Sequence, residues 1–339
     1  MRLNDDVVRG FELGRVYKSR QPYNSAAFHR VYDLLVAATD DDELHLFDLR
    51  EGKPHRPPLP CRKYGAAAVA WTHSHTDVLH ASTKGNSHAV RYLSVESNQY
   101  HQYFEGHQAR VTCVDMSPKN DTFLSAGQDR TVRLWDLRTP ICQAVLSAPA
   151  QPVAAFDQQG LVFAVGADSG VVRLYDARGY TKGPFETFVV PELVNTPTPF
   201  RQLLFSNDGN TLVAVAGRTA YVLDAFAGAL KHAVRLGGPE TAAPSQVSLS
   251  FDGAYLISGC DATGAVGVWS AATGSRVAEW RAAAADAPPR VAAWAPRRLM
   301  AVSGSMALAF WIPGPAALER AAAAAAVQQQ QQQQHGAPK

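Results

Sequence analysis

One short pattern recurs along most of the sequence, and this repetition restricts the possible folds more than any other feature. Its clearest copy runs from Gly106-His107 through Ser125 and Asp129 to Trp135-Asp136. Weaker copies of its last strand, an apolar run ending in an aromatic residue or a replacement for one, close at positions 48, 94, 176, 224, 270 and 312. The seven closing positions are 40 to 48 residues apart. This period is typical of a β-propeller built from WD repeats.

We therefore predict an all-β protein, a single seven-bladed WD-repeat β-propeller over residues 1–313. The apolar alternation of Val7 to Tyr17 belongs to no repeat, and we expect residues 7–17 to be the outer strand that closes the last blade. The first blade is the weakest and looks shortened, because Ala26 to Val36 lacks the usual glycine-bearing turn. Residues 314–339 are a low-complexity Ala/Gln tail, for which we expect disorder or a short helix with no apolar face to bury.

Composition argues against several other classes of protein. The formal net charge of +2 is too small to indicate nucleic-acid wrapping, so we expect no direct nucleic-acid partner. No apolar run approaches membrane-spanning length, so we expect a soluble intracellular protein without membrane contact. The cysteines form no CxxC pair, which favours reduced thiols and predicts no metal site and no cofactor. They are Cys61, Cys113, Cys142 and Cys260.

The clearest repeat carries four polar positions that suggest a buried network. In WD repeats, His107, Ser125, Asp129 and Trp135 occupy the places whose side chains form one hydrogen-bonded chain. The indole N–H is only a donor, so a buried tryptophan requires an acceptor such as the serine hydroxyl. A Ser/His/Asp set also suggests a hydrolase, but no nucleophile elbow surrounds Ser125. We predict a structural chain and no enzyme.

A propeller enzyme with a site in the central channel is the remaining catalytic alternative. Such a site needs several carboxylates or histidines on the innermost strands. Those strands read Val69-Ala70-Trp71, Val111 to Val114, Val153-Ala154-Ala155 and Leu203-Leu204-Phe205, and they are apolar or small. The sequence therefore favours an interaction protein over an enzyme.

Local charge suggests where a partner binds. In a propeller, the loops leading into the inner strands and the loops between second and third strands share one face. Five basic residues fall on this face, which we call the basic arc: Arg62, Lys63, Lys84, Arg110 and Arg130. It lies beside an acidic loop, Asp40 to Glu43. Because arginine forms bidentate contacts with phosphate, the arc is a candidate phosphopeptide site. The alternative is ordinary solvated charge.

Several sequences between the blades resemble one family in chain order from about Met1 to Pro313. Two are not generic repeat features, namely Lys182-Gly183-Pro184-Phe185 and Asp224-Ala225-Phe226. Others are Glu51-Gly52-Lys53-Pro54, Lys63-Tyr64-Gly65, Tyr103-Phe104-Glu105-Gly106-His107, Phe205-Ser206-Asn207-Asp208-Gly209 and Phe310-Trp311-Ile312-Pro313. Together they are similar to the small WD-repeat subunit of the COMPASS (Set-one type) histone methyltransferase complexes. The shortened first blade and the proline-rich loop Val189 to Pro199 depart from that pattern.

The resemblance implies a non-catalytic scaffold subunit in the nucleus, in a complex of the histone-three lysine-4 type. Its implied partners are the methyltransferase catalytic subunit and the phosphorylated C-terminal repeat of RNA polymerase II. In several lineages the same subunit also serves mRNA 3′-end processing and a protein phosphatase-1 nuclear complex. The alternative is a generic WD-repeat adaptor, such as a ubiquitin-ligase substrate receptor, against which the motifs between the blades argue.

Overall fold

A computed structural model describes residues 3–167, 170–194, 196, 198–237, 245–259, 264–281, 289–320 and 323. Within these ranges the chain forms seven antiparallel sheets, which are the blades of a propeller, so the predicted seven-bladed fold is confirmed. The chain begins with a helix, α1 (Asp5–Arg9), and a strand, β1 (Phe11–Lys18). None of the helices in the described part is long and apolar enough to span a membrane.

The first three blades follow in chain order. Blade one contains β2 (Tyr23–Phe28), β3 (Leu34–Thr39), β4 (Glu43–Asp48), β5 (Lys53–Pro54) and β6 (Leu59–Pro60). Blade two contains β7 (Ala67–Trp71), β8 (Asp77–Ala81), β9 (Val90–Ser94) and β10 (Gln99–Phe104). Blade three contains β11 (Val111–Met116), β12 (Thr122–Gly127), β13 (Thr131–Asp136) and β14 (Thr139–Ser147).

The remaining blades repeat this order, from the inner strand to the outer strand. Blade four contains β15 (Val153–Phe156), β16 (Val162–Gly166), β17 (Val171–Asp176) and β18 (Glu186–Val189). Blade five contains β19 (Phe200–Phe205), β20 (Thr211–Ala216), β21 (Thr219–Asp224) and β22 (Leu230–Arg235). Blade six contains β23 (Ser248–Leu249), β24 (Tyr255–Gly259), β25 (Val266–Ser270) and β26 (Arg276–Trp280). Blade seven contains β27 (Val291–Trp294), β28 (Ala301–Gly304) and β29 (Ala307–Pro313). Short 3-10 turns occupy Tyr180–Lys182 and Pro191–Leu193.

Blade one is complete, so the prediction of a shortened first blade is wrong. Its outer position is shared by β5, which pairs with Phe47 and Asp48, and β6, which pairs with Glu43 and Leu44. Prolines interrupt this outer edge because they donate no ladder hydrogen bond. The turn between β2 and β3 needs no glycine, since the His29 ring accepts two backbone N–H groups at 3.0 Å.

The N-terminal segment supplies the outer strand of blade seven, with bounds that differ from the predicted 7–17. β1 pairs with β29 from Phe11 opposite Pro313 to Lys18 opposite Ala307. The preceding residues are helical because the Asn4 side chain accepts the Val7 N–H at 2.8 Å and caps α1. The alternation through Val7 and Val8 therefore predicted a strand where a capped helix forms.

α1 and β1 close the ring by apolar contact. The Phe11 ring stacks on Trp280 with centroids 4.7 Å apart, and the Trp280 indole donates to the carbonyl of Val8 at 2.9 Å. Val7 and Val8 are fully buried in the same cluster. The chain's first residues thereby join blade six to blade seven.

The packed body extends beyond the predicted boundary at residue 313. Residues 315–320 are helical, and Ala317 is buried against Gly10. The Gly314 N–H donates to the Gly10 carbonyl at 2.8 Å. The predicted tail begins too early for this reason. Cys260, the alanine run after residue 320 apart from residue 323, and the glutamine run lie outside the described residues.

Candidate functional site

The four polar residues of blade three form one hydrogen-bonded chain. His107 Nδ1 lies 2.9 Å from Asp129 Oδ2, and His107 Nε2 lies 2.7 Å from Ser125 Oγ. The Trp135 indole N–H donates to the same hydroxyl at 2.8 Å. The turn between β12 and β13 holds the carboxylate, and β12 and β13 hold the hydroxyl and the indole side by side. Local strand geometry therefore sets the whole chain.

Burial and hydrogen bonding tune this chain electrostatically. Burial lowers the pKa of His107, although Asp129 opposes the shift, so the imidazole is held neutral. Burial alone would raise the pKa of Asp129, but hydrogen bonds from the Gln108 N–H and from His107 bring it below its ordinary value. The result is a carboxylate that orients a neutral imidazole.

The same geometry makes the Ser125 hydroxyl of the Ser/His/Asp set inaccessible to a substrate. Ser125 is fully buried, and its hydroxyl oxygen already contacts both the imidazole and the indole. A nucleophile must reach a substrate carbonyl, which this oxygen does not. The arrangement fits a structural role within the blade.

The acidic loop engages two members of the basic arc. Arg62 lies 3.4 Å from Glu43, and Lys84 forms an ion pair with Asp42. Glu43 and Asp42 are therefore neighbours of the arc, as the sequence suggested. Both cations are more than half exposed, whereas the Asp42 side chain is only 5% exposed, so each pair is open to solvent mainly on its cationic side.

The other three members of the arc lie in different surroundings. The Lys63 ammonium lies 4.9 Å from the centre of the Tyr64 ring. Arg130 is exposed in the turn between β12 and β13 with a positive φ of 61°. Arg110 is exposed and lines the central cavity. Among the residues that the structure describes, no carboxylate lies within ion-pair distance of any of these three.

Tyr64 also carries a second, buried cation that the arc did not include. The guanidinium of Arg91 lies 3.3 Å from the Tyr64 ring centre and 4.8 Å from that of Tyr103. Arg91 Nε donates to the Ser82 hydroxyl at 2.9 Å. This arginine is held on all sides and fixes the Tyr64 loop against blade two.

A cavity of about 500 Å³ occupies the centre of the ring on the same face as the arc. Two arginines that sequence reasoning missed line it together with Arg110, namely Arg201 and Arg290. All three lie at or just before the start of an inner strand. A comparison of the residue at the start of the inner strand in each blade would have identified Arg201 and Arg290 from the sequence.

Metal-binding residues do not cluster in the described part of the chain. No group of three or more His, Cys, Asp and Glu side chains there is placed to hold a metal ion. Cys61, Cys113 and Cys142 are free thiols, and burial raises the pKa of Cys61 and of Cys113 to about 11. These two thiols are therefore poor nucleophiles at neutral pH.

Comparison with known proteins gives a matching repeat family and relatives of which two are covered over more than nine-tenths of their own length. A model of the "WD domain, G-beta repeat" family matches residues 98–136. "Protein ANTHESIS POMOTING FACTOR 1" of Arabidopsis thaliana is 39% identical over 317 residues, 92% of this chain and 93% of that protein. "WD repeat-containing protein 82" of Drosophila melanogaster is 33% identical over 315 residues, 92% of this chain and 98% of that protein. "Set1 complex component swd2" of Schizosaccharomyces pombe is 40% identical over 210 residues, 60% of this chain and 57% of that protein.

Proposed function

We propose that this chain is a scaffold subunit of a nuclear histone methyltransferase complex of the Set1/COMPASS type. The premise is that the chain belongs to the family of WD-repeat subunits that includes WD repeat-containing protein 82 and the Set1 complex component swd2. The observation that carries the proposal is the similarity to Set1 complex component swd2, which is 40% identical over 60% of this chain. The match over 98% of WD repeat-containing protein 82 supports it by extending the family likeness to 92% of this chain. The role we propose is non-catalytic, and the burial of the Ser/His/Asp set inside blade three supports it.

Two exposed phenylalanines are our candidate contact with the methyltransferase catalytic subunit. Phe226 and Phe185 are 76% and 58% exposed, and each belongs to a motif that generic repeats lack. The turn that carries Phe226 folds onto blade four, because Gly228 lies against Phe188 of β18. Both aromatic side chains thus lie on one stretch of the rim. Aromatic anchors of this kind commonly dominate the energy of an interface.

Co-purification tests this contact. The full chain is tagged in its own cells, and the catalytic subunit is measured by mass spectrometry. We expect Phe226→Ser to reduce its recovery at least tenfold, since an interface aromatic often contributes about 2 kcal/mol or more. Ile141→Ser is the matched control, because Ile141 is 70% exposed on blade three. Recovery that is equal for wild type and Phe226→Ser would move the contact elsewhere, and no methyltransferase with the wild type would refute the proposal.

The second partner we propose is the phosphorylated C-terminal repeat of RNA polymerase II, bound at the basic arc. Support comes from Lys63, Arg110 and Arg130, whose charges meet no acidic partner among the described residues. We expect fluorescence anisotropy to show binding of the phosphorylated repeat peptide, weakening as salt rises, and none of the unphosphorylated peptide. Reversal of Arg110 and Arg130 to Glu is expected to abolish it. Equal affinity for both peptides would refute this assignment.

A further inference from the structure

The central cavity is ringed by alternating cations and amides. Following the start of the inner strand from blade three around to blade one gives Arg110, Gln151, Arg201, Gln246, Arg290 and Asn24. All six line the same cavity of about 500 Å³. Only blade two, with Ala67 and Ala68, leaves a small-residue gap in the ring.

This ring is positively charged and mostly uncompensated. Its described lining contains three arginines and no carboxylate. Arg290 is matched by Asp40 at 2.7 Å, outside the lining, and the same carboxylate accepts from the Asn24 amide at 3.2 Å. Within the described ranges, no carboxylate comes within ion-pair distance of Arg110 or Arg201. Burial, and then the charge of Arg218, lower the pKa of Arg201, so a nearby anion would relieve its repulsion.

The amides around the cavity are held in place by hydrogen bonds between blades. The side chain of Gln202 both donates to the carbonyl of Val247 and accepts its N–H, each at 2.9 Å. Gln151 donates to the Thr112 hydroxyl at 3.3 Å. These bonds fix the lining before any ligand arrives. A rigid polar frame lowers the entropy lost when an anion binds.

We propose that the mouth of this cavity binds the phosphoryl group of a phosphorylated side chain, with Arg110 and Arg201 as its charged contacts. Two guanidinium groups match a phosphate dianion, and each can contribute a two-pronged hydrogen bond. The volume accommodates a side chain, whereas a nucleic-acid duplex is far too wide to enter. Arg110 belongs to both the lining and the basic arc, and the other members of the arc, Arg62, Lys63, Lys84 and Arg130, lie outside the lining, where they would contact the peptide beyond its phosphoryl group.

The inference rests on the proposed function only for the identity of the phosphorylated partner, so two probes separate the two claims. Inorganic pyrophosphate and the phosphorylated polymerase repeat peptide are each titrated into the full chain by calorimetry. We expect Arg201→Gln to weaken both at least tenfold, since a hydrogen bond to a charged group contributes on that order. The matched control Arg178→Gln removes the same charge at an exposed position just after β17, outside both the cavity lining and the basic arc, and is expected to change affinity less than twofold.

Asp40→Asn is expected to raise the affinity for both probes, a result that misfolding of the variant would not produce. Removing this carboxylate frees Arg290 at the rim of the cavity, so we expect both probes to bind several-fold more tightly. Unchanged or weaker binding by Asp40→Asn would mean that the positive charge around the cavity does not attract the phosphoryl group, which would overturn the cavity site. Circular dichroism and the melting temperature of each variant establish that the ring is intact.

The outcomes distinguish the two proposals. Pyrophosphate binding that depends on Arg201, without binding of the repeat peptide, upholds the cavity site and rejects the polymerase repeat. Peptide binding that Arg201→Gln leaves unchanged and the reversal of Arg110 and Arg130 to Glu abolishes upholds the basic arc and overturns the cavity site. If neither probe binds the wild type, both proposals are wrong.

Discussion

Blade three and blade seven reach the same four-stranded shape by different means. Blade three is continuous in sequence and carries a polar chain from His107 to Trp135. Blade seven combines three strands near the C-terminus with β1 from the N-terminus. Of the polar chain, the described residues of blade seven keep the Trp311 indole, which donates to the Ser303 hydroxyl at 2.9 Å. An aromatic seam around Phe11 and Trp280 holds this blade against blade six.

The difference shows which interactions suit which task. The polar chain is directional, and a typical hydrogen bond contributes only about 0.5–1.5 kcal/mol net, so it specifies one blade more than it stabilises the ring. The seam buries aromatic surface, and losing a buried aromatic side chain costs about 3–5 kcal/mol. We therefore expect the stability of the ring to depend more on the aromatic seam than on the polar chain of blade three.

Removing the seam's central ring is the strongest way to break this comparison. We expect Phe11→Ala to lower the free energy of unfolding by about 3–5 kcal/mol, because it leaves a cavity against Trp280. Urea denaturation measures this. The matched control is Leu13→Ala in the same strand, since Leu13 is 38% exposed. Similar losses for the two variants would show that the seam adds nothing beyond strand pairing.

Acid sharpens the comparison, because histidines whose pKa is lowered by burial lie in blades one, two and three, whereas the aromatic rings of Phe11 and Trp280 in the seam do not titrate. Burial lowers the pKa of His80 in blade two to about 4, and it also lowers that of His107. A folded-state pKa below the unfolded value of about 6.5 gives stability that is complete above pH 6.5 and lost as pH falls toward 4. For His80 alone we expect a loss of about 3 kcal/mol.

Urea denaturation at pH 7, 5.5 and 4 checks this loss. His80→Leu is the control, because it removes the titrating group and is expected to flatten the curve. Hydrogen exchange resolved by blade is expected to show blades one, two and three losing protection before blade seven. An acid response that is the same in His80→Leu and wild type would assign the effect to other groups.

Breaking the polar chain at its carboxylate has a smaller expected effect. Asp129→Ala leaves the buried His107 imidazole without its partner, so we expect a loss of about 1–3 kcal/mol in the free energy of unfolding. Gln128→Ala, at the exposed neighbouring position, is expected to be silent. A melting temperature for Asp129→Ala equal to that of wild type would contradict a stabilising role for the chain.

The C-terminal extension of the seam is expected to contribute least. A chain ending at residue 315 loses the burial of Ala317 against Gly10, whereas a chain ending at residue 320 keeps it. We expect the shorter chain to be less stable by about 1 kcal/mol, the transfer free energy of one buried methyl group. Chains ending at 320 and 339 are expected to unfold at the same urea concentration. A difference between those two would give the last residues a stabilising role.

The sequence predicted those parts of the structure that are set by contacts between residues close to one another in the chain. The period and the Trp135-Asp136 type of ending specify seven blades, because each blade is a local hairpin series. The N-terminal helix was missed although its signals are present, with Asn4 as cap and Gly10 as stop. The apolar alternation around Val7 was given more weight than these signals. A one-turn helix and the first residues of a strand bury apolar side chains in a similar pattern, so the pattern alone does not distinguish them.

The candidate site was harder to predict because it depends on ring closure. Arg110, Arg201 and Arg290 are separated by about 90 residues each, and only the closed ring brings them to one cavity. The basic arc was assembled from loops of blades two and three, which are neighbours in sequence. Arg110 was therefore found and its two counterparts were not.

The pairing of β1 with β29 also determines the stage of translation at which the ring can close. The two strands are about 290 residues apart in the chain. At roughly 5–20 residues per second, a ribosome needs roughly 15–60 s to make the second strand after the first. Throughout that interval Phe11 and the apolar side of α1 have no final partner, and a nascent chain must keep them from pairing elsewhere. Any ligand that requires the closed ring meets only chains whose last blade has already been translated.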